Sequence, residues 1–129
     1  MRLRQLIPLL LLIASGVPAP AQAPASDQAA EYAGWPPLER RFASTGGGGW
    51  IIDDYDPVPD RVAGLCRTNF TAISPEGQRI DNAVTFDAVP VPGGILCTNG
   101  RWRGRNDDSQ GTTPFRVFIR ADGARFGSP

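Results

Sequence analysis

The sequence predicts a small all-β domain, a partly open barrel or a two-layer sandwich, with about five or six antiparallel strands, one disulfide and a disordered N-terminal tether. Three observations favour this class. Short runs rich in β-branched and aromatic residues are separated by glycine, proline and asparagine turns. Apolar and polar residues alternate along the clearest of these runs, between Cys66 and Trp102. Two cysteines follow an apolar leader, which is typical of a small exported domain with a disulfide.

The segment 74–78, Ser-Pro-Glu-Gly-Gln, predicts a three-residue hairpin loop with a bulge. Pro75 suits the second position of a type I turn, and Gly77 tolerates the positive φ that the next position requires. This loop fixes the register of the two strands, so that Cys66 lies opposite Phe86. The even-numbered residues then form one mostly apolar face, which comprises Cys66, Thr68, Phe70, Ala72, Ile80, Asn82, Val84 and Phe86.

A second turn is predicted at Asn99-Gly100, the preferred pair of a type I′ two-residue hairpin. Such a turn places Cys97 across from Trp102 on the same face. The pattern Cys-x-x-Gly-x-Trp of residues 97–102 resembles the end of complement control (sushi) modules and a segment of the C-terminal domains of bacterial minor pilins. Because sushi modules have four cysteines and this chain has 2, the resemblance implies a shared local structure and no function.

Residues 1–25 are predicted to be a secretory signal peptide. Arg2 and Arg4 precede an apolar run, Leu6 to Ala14, that is too short to span a bilayer. We therefore expect a periplasmic or secreted bacterial protein with no stable membrane insertion after cleavage. Arginine is the only basic residue type, which also indicates a GC-rich bacterial genome.

The domains predicted after the signal peptide are a tether at 26–48, rich in proline, alanine and glycine, and a β domain at 49–129. Within the tether, residues 35–42 predict either one short helix, because proline is tolerated in a first turn, or an arm laid across the domain by its aromatic residues. A β domain of about 80 residues is small for a stable hydrophobic core, which favours a covalent link.

A disulfide between Cys66 and Cys97 is the predicted link. The two residues are 31 positions apart, and closing this loop contributes about 3.5 kcal/mol in the chain-entropy description. In a simple meander they lie on the strands flanking residues 80–89, roughly 9 to 10 Å apart. A disulfide requires Cα atoms about 4.4 to 6.8 Å apart. We therefore expect residues 89–94 to carry the chain out of the meander, to the free side of the first strand or into a second layer.

The chain contains no lysine and no histidine. This composition excludes a Ser-His or Ser-Lys nucleophile, a Schiff-base lysine, a phosphate-loop lysine and an imidazole metal site. With both cysteines in a disulfide, a zinc site is excluded as well. We expect no catalytic residue, no metal, no cofactor and no nucleic-acid partner.

The densest acidic cluster comprises Asp53, Asp54, Asp56 and Asp60. Its spacing does not match a calcium loop, and nothing in it fixes the separation of a glycosidase carboxylate pair. A solvated turn, in which aspartates cap the backbone, is the preferred interpretation.

Arg101, Arg103 and Arg105 recur at every second position, so they predict three guanidinium groups on one strand face, with Trp102 on the other. Arginine matches phosphate and carboxylate groups, which makes this row a candidate anion-binding edge. The alternative is an edge strand kept soluble by charge and neutralised by nearby aspartates. Those aspartates are Asp81, Asp87 and the members of the acidic turn.

These observations favour a non-catalytic exported module that binds an envelope glycan or protein, because the sequence shows no constellation of titratable groups that catalysis requires. A second hypothesis is a small exported hydrolase inhibitor that presents residues 106–114 or the acidic turn. A third is a carboxylate-dependent hydrolase that uses Asp53, Asp54 or Asp56. The sequence does not predict the oligomeric state.

Overall fold

The structure of the chain is a computed structural model that describes residues 32, 34–44 and 48–129. The predicted signal peptide and the first residues of the predicted tether, 26–31, lie outside the described residues. Across the described part of the chain, no helix is long and apolar enough to cross a bilayer.

The described residues form nine strands and no helix in one antiparallel sheet, which confirms the all-β class. The strands are β1 (Phe42–Ala43), β2 (Ile51–Asp53), β3 (Val58–Asp60), β4 (Leu65–Ile73), β5 (Arg79–Val91), β6 (Gly94–Gly104), β7 (Gln110–Thr113), β8 (Val117–Arg120) and β9 (Arg125–Gly127). Their order is β1-β2-β4-β5-β6-β8-β9. In addition, β3 pairs with the same edge of β4 as β2 does, and β7 pairs with the same edge of β6 as β8 does. The sheet curls into a half-barrel.

The prediction of five or six strands is wrong because two strand positions are each occupied by two short segments, and because β1 comes from residues predicted to be tether. The edge of β4 pairs with β2 and then β3, separated by residues 54–57, where Asp54 has a φ of 62°. The edge of β6 pairs with β7 and β8, separated by residues 114–116. Pro57 and Pro114 lie at these interruptions, and neither has an N–H group to continue a ladder.

The first predicted hairpin is confirmed in its loop and in its register. Ser74 N donates to the Gln78 carbonyl at 2.9 Å, and Gly77 has a φ of 89°. Cys66 pairs with Phe86, as predicted. We call the side of the sheet that carries these two residues the inner face, and the opposite side the outer face.

The second predicted turn is wrong: Asn99 and Gly100 lie within β6, where they form a β-bulge. Thr98 pairs with Asp87 and Arg101 pairs with Thr85, so both bulge residues lie opposite Phe86. Asn99 has a φ of 56°, the left-handed conformation that a type I′ turn also requires. A Cβ on Gly100 would come within 2.8 Å of the Phe86 ring, so only glycine fits there.

The disulfide between Cys66 and Cys97 is confirmed, with Cα atoms 6.0 Å apart. The predicted departure from the meander is wrong, because β5 and β6 pair directly through Pro90 and Ile95 up to the turn at 92–93. The curl of the sheet, and not a detour of the chain, brings the strands on either side of β5 together on the inner face. This arrangement favours the barrel over the sandwich.

Two apolar clusters lie on opposite faces of the sheet. The inner cluster surrounds the disulfide; its buried members are Tyr55, Cys66, Val84, Phe86, Ile95, Cys97, Val117 and Ile119. The outer cluster lies over β6 and β8; its buried members are Tyr32, Trp35, Leu96 and Phe118. The alternation along β8 is as the strand pattern predicts, since Val117 and Ile119 face inward and Phe118 outward.

Residues 34–44 form an arm that connects the two ends of the curled sheet. At one end, Pro37 bridges to Phe126 of β9, and Leu38 N donates to the Arg125 carbonyl at 2.9 Å. At the other end, β1 pairs with β2. Residues 35–42 were predicted to form either a short helix or an arm, and the structure shows the arm. The packed unit therefore includes residues that were predicted to belong to the tether.

The bulge gives a first prediction. Replacing Asn99 with glycine and with valine removes the same side-chain hydrogen bond, but only valine is strained at a positive φ. We expect Asn99→Val to lower the free energy of unfolding by about 1 to 2 kcal/mol relative to Asn99→Gly, measured by urea denaturation. Equal stability of the two variants would contradict the left-handed conformation of this residue.

Candidate functional site

An open groove of about 640 Å³ lies on the outer face, where β5, β6 and β7 meet. Its lining residues are Ala83, Thr85, Arg101, Trp102, Arg103, Gln110, Gly111 and Thr112. The pairing explains this composition: Thr85, Arg101 and Thr112 lie side by side on the three strands, as do Ala83, Arg103 and Gln110. The lining thus combines small and aromatic residues with guanidinium, amide and hydroxyl groups.

Arg101 is already paired with an acidic side chain. Its Nη1 donates to Asp87 Oδ1 at 3.0 Å and to the Asn99 carbonyl at 2.7 Å. Asn99 Nδ2 donates to the other Asp87 oxygen at 2.9 Å. These hydrogen bonds, from Asn99 first and Arg101 second, hold the pKa of Asp87 below its usual value. Asp87 therefore neutralises Arg101, as the alternative interpretation of the arginine row expects.

Arg103 differs from Arg101. It is exposed in the same groove, and within the described part of the chain its side chain has neither an ion-pair nor a hydrogen-bond partner. A guanidinium in this state keeps all of its donors available to a ligand, in the planar arrangement that phosphate and carboxylate groups match.

Arg105 lines a different depression from the other two arginines. The strand ends at Gly104, and the Arg105 side chain donates to Asn69 Oδ1 at 2.8 Å, while its backbone N–H donates to the Asp81 carbonyl at 2.9 Å. It lies in a second depression of about 280 Å³, whose lining residues are Asp54, Asn69, Phe70, Thr71, Asp81, Asn82 and Arg105. The structure thus places two of the three predicted arginines in one groove and the third in another.

The acidic cluster is divided among separate partners. Its ion pairs are Asp53 with Arg41 at 3.6 Å, Asp56 with Arg125 at 3.2 Å and Asp60 with Arg67 at 3.2 Å. Asp60 also caps a turn by accepting a hydrogen bond from Ala63 N at 3.0 Å. This bond, and then Arg67, lower the pKa of Asp60. The described residues include no group of three or more His, Cys, Asp or Glu side chains able to hold a metal ion.

Sequence reasoning missed two groove residues, Gln110 and Thr112, because it treated residues 106–114 as one polar loop. The structure makes residues 110–113 strand β7. The preceding turn is tightened by Asp107, whose carboxylate accepts hydrogen bonds from the Ser109 hydroxyl and backbone N–H. No signal in the sequence shows that this polar segment pairs with the strand that carries the arginines, because the bulge in β6 is itself not predicted.

Comparison with known proteins identifies no relative, since no protein-family model, curated protein or solved structure matches the chain.

The two groove arginines are distinguished by a titration. We expect Arg101→Gln to raise the pKa of Asp87 part of the way to its ordinary value, because the hydrogen bond from Asn99 remains. Arg103→Gln is the matched control, which changes the net charge equally and leaves the pKa of Asp87 unchanged. Carboxyl-carbon NMR titration measures both shifts. Equal shifts in the two variants would show that Arg101 is not the specific partner.

Proposed function

We propose that this protein is a non-catalytic, periplasmic or secreted bacterial module that binds an anionic group of an envelope glycan or protein in the groove on its outer face. The bound group is a phosphate, a sulfate or a carboxylate. The buried disulfide supports the compartment, because such bonds persist in oxidising environments outside the cytoplasm.

One observation carries the proposal: the unpaired guanidinium of Arg103 lines a groove to which Thr85, Gln110 and Thr112 also contribute polar side chains. An arginine that only keeps an edge soluble does not require such a groove. A ligand held there accepts hydrogen bonds from Arg103 and from Gln110 or Thr112. Polar contacts of this kind fix the orientation of a ligand and provide specificity.

The charge distribution along the chain supports the same proposal. Residues 95–129 carry six arginines and three aspartates, whereas residues 26–94 carry five arginines and ten acidic residues. An anionic ligand is therefore attracted to the C-terminal half of the sheet, which includes the groove. Because these charges are exposed, salt at physiological strength screens the attraction.

The two other hypotheses have weaker support. The inhibitor hypothesis depends on a protruding loop, and the segment expected to provide it is largely strand β7. The hydrolase hypothesis has one supporting observation, which is that Asp54 and Asp81 line the second depression together. An acid and base pair needs one carboxyl group that is shielded from water, and both of these residues are exposed.

The proposal predicts opposite effects on ligand binding for two substitutions. Arg103→Gln removes the free guanidinium, so we expect the Kd for a fluorescent heparin oligosaccharide to rise about fivefold at low salt. Asp87→Asn removes a negative charge and releases Arg101, so we expect tighter binding than in the wild type. Fluorescence anisotropy over a series of salt concentrations measures both effects.

Arg79→Gln is the matched control for this experiment. Arg79 is also an exposed arginine. It is the first residue of β5, so it lies beside the hairpin loop and outside the groove. Its substitution changes the net charge by the same amount. If Arg79→Gln weakens binding as much as Arg103→Gln, the attraction is a general charge effect and the groove is not the site.

A further inference from the structure

Strand β7 has a free edge that differs from the edges at β3 and β9. One side of β7 pairs with β6, and within the described part of the chain no strand or loop pairs with the other side. The edge strand β3 contains Pro59 and the charged Asp60, which both discourage the addition of another strand. The edge of β9 is covered by the arm. β7, with the sequence Gln-Gly-Thr-Thr, has neither a charge nor a proline nor a cover.

The register shows which backbone groups point outward from this edge. Gly104 N donates to the carbonyl of Ser109, the residue directly opposite, so these two form a hydrogen-bonded pair. Hydrogen-bonded pairs alternate along an antiparallel ladder, which makes Gly111 a member of the next such pair. The N–H and C=O groups of Gln110 and Thr112 therefore point away from β6, toward the free edge.

The side chains beside this edge define the chemistry of an added strand. In an antiparallel addition, the residues opposite Gln110 and Thr112 lie on the outer face, on the side of the groove that holds the free guanidinium of Arg103. The residue opposite Gly111 lies on the inner face. Gly111 has no side chain, and the Trp102 ring lies so close that a Cβ there would be 2.8 Å from it. An apolar side chain at that position contacts the ring.

We propose that β7 is the docking edge for an extended segment of a partner protein, which adds as an antiparallel strand with acidic residues toward Arg103 and apolar residues toward Trp102. This inference rests on the proposed function, because it names the partner that brings a carboxylate to the groove. Main-chain hydrogen bonds to Gln110 and Thr112 supply affinity, and the alternating side chains supply specificity.

The probe for this proposal is a blocked seven-residue peptide of alternating glutamate and valine. We expect it to bind the disulfide-bonded protein and to protect the amides of Gln110 and Thr112 from hydrogen exchange. A peptide with glutamine in place of glutamate should bind about fivefold more weakly, because it loses the charged partner of Arg103.

Two N-methylated peptides separate strand addition from attraction by charge alone. In an antiparallel strand the glutamates that face Arg103 also direct their N–H groups to β7, so their N-methylation should weaken binding at least about tenfold. N-methylation of the valines, whose N–H groups point to solvent, should leave binding nearly unchanged. Equal binding of the two peptides would overturn strand addition. Weakening by the valine methyl groups alone would overturn the antiparallel register.

Measurements with two protein variants distinguish this inference from the proposed function. Thr112→Pro removes an outward N–H group, so peptide binding should be lost. If heparin binds through Arg103 but the peptide does not bind, strand addition fails and the anion site stands. If heparin and the peptide each bind equally to wild type and Arg103→Gln, the anion site fails. A dimer of the protein alone that Thr112→Pro abolishes would assign the edge to a second copy and overturn the proposal.

Discussion

The bond between Cys66 and Cys97 joins the two strands on either side of β5, across the inner face of the sheet. In a flat sheet these strands are separated by two strand spacings, roughly 9 to 10 Å, and the observed distance between the Cα atoms is 6.0 Å. The sheet must therefore curl sharply around β5. The inner cluster, the arm that connects the two ends of the sheet and the outer groove all depend on this curl.

The bulge at Asn99 and Gly100 connects the disulfide to the groove. Because two residues of β6 lie opposite Phe86, the alternation of side chains changes sign between Cys97 and Arg101. Cys97 faces inward, whereas Arg101 and Arg103 face outward. In a regular strand these three odd-numbered residues would all share the inner face, and the disulfide and an exposed arginine pair would be mutually exclusive. A single local irregularity makes both features possible.

Much of the central part of the fold is predictable because local chemistry determines it. The loop at 74–78 has one favourable conformation, and that conformation sets the register from Cys66 to Phe86. The Asn-Gly pair is different, because a type I′ turn and a bulge both use a left-handed asparagine. The choice between them depends on the ladder that β6 forms with β5, a strand of 13 residues. No local signal in the sequence shows this pairing. The role of Tyr32 and Trp35 is similarly non-local, since they are buried against a face that only the assembled sheet provides.

The candidate site was predictable in its residue types and less so in its geometry. The alternation of Arg101 and Arg103 correctly predicts a shared face. The hydrogen bond to Asn69 places the Arg105 side chain in a separate depression, and strand β7 supplies the other wall of the groove. Both outcomes are tertiary, since they depend on where a long strand stops and which polar segment returns to pair with it.

Disulfide mapping of the exported protein tests most directly the claim on which the other features depend, that a bond between Cys66 and Cys97 joins the strands flanking β5. Trypsin cleaves after Arg61, Arg67, Arg79 and Arg101, so each cysteine lies in its own peptide. Without reduction, mass spectrometry should find the peptides 62–67 and 80–101 as one species, lighter by two hydrogens than their sum. Recovery of the two peptides separately, each with an alkylated cysteine, would contradict the curl and the faces of the sheet that depend on it.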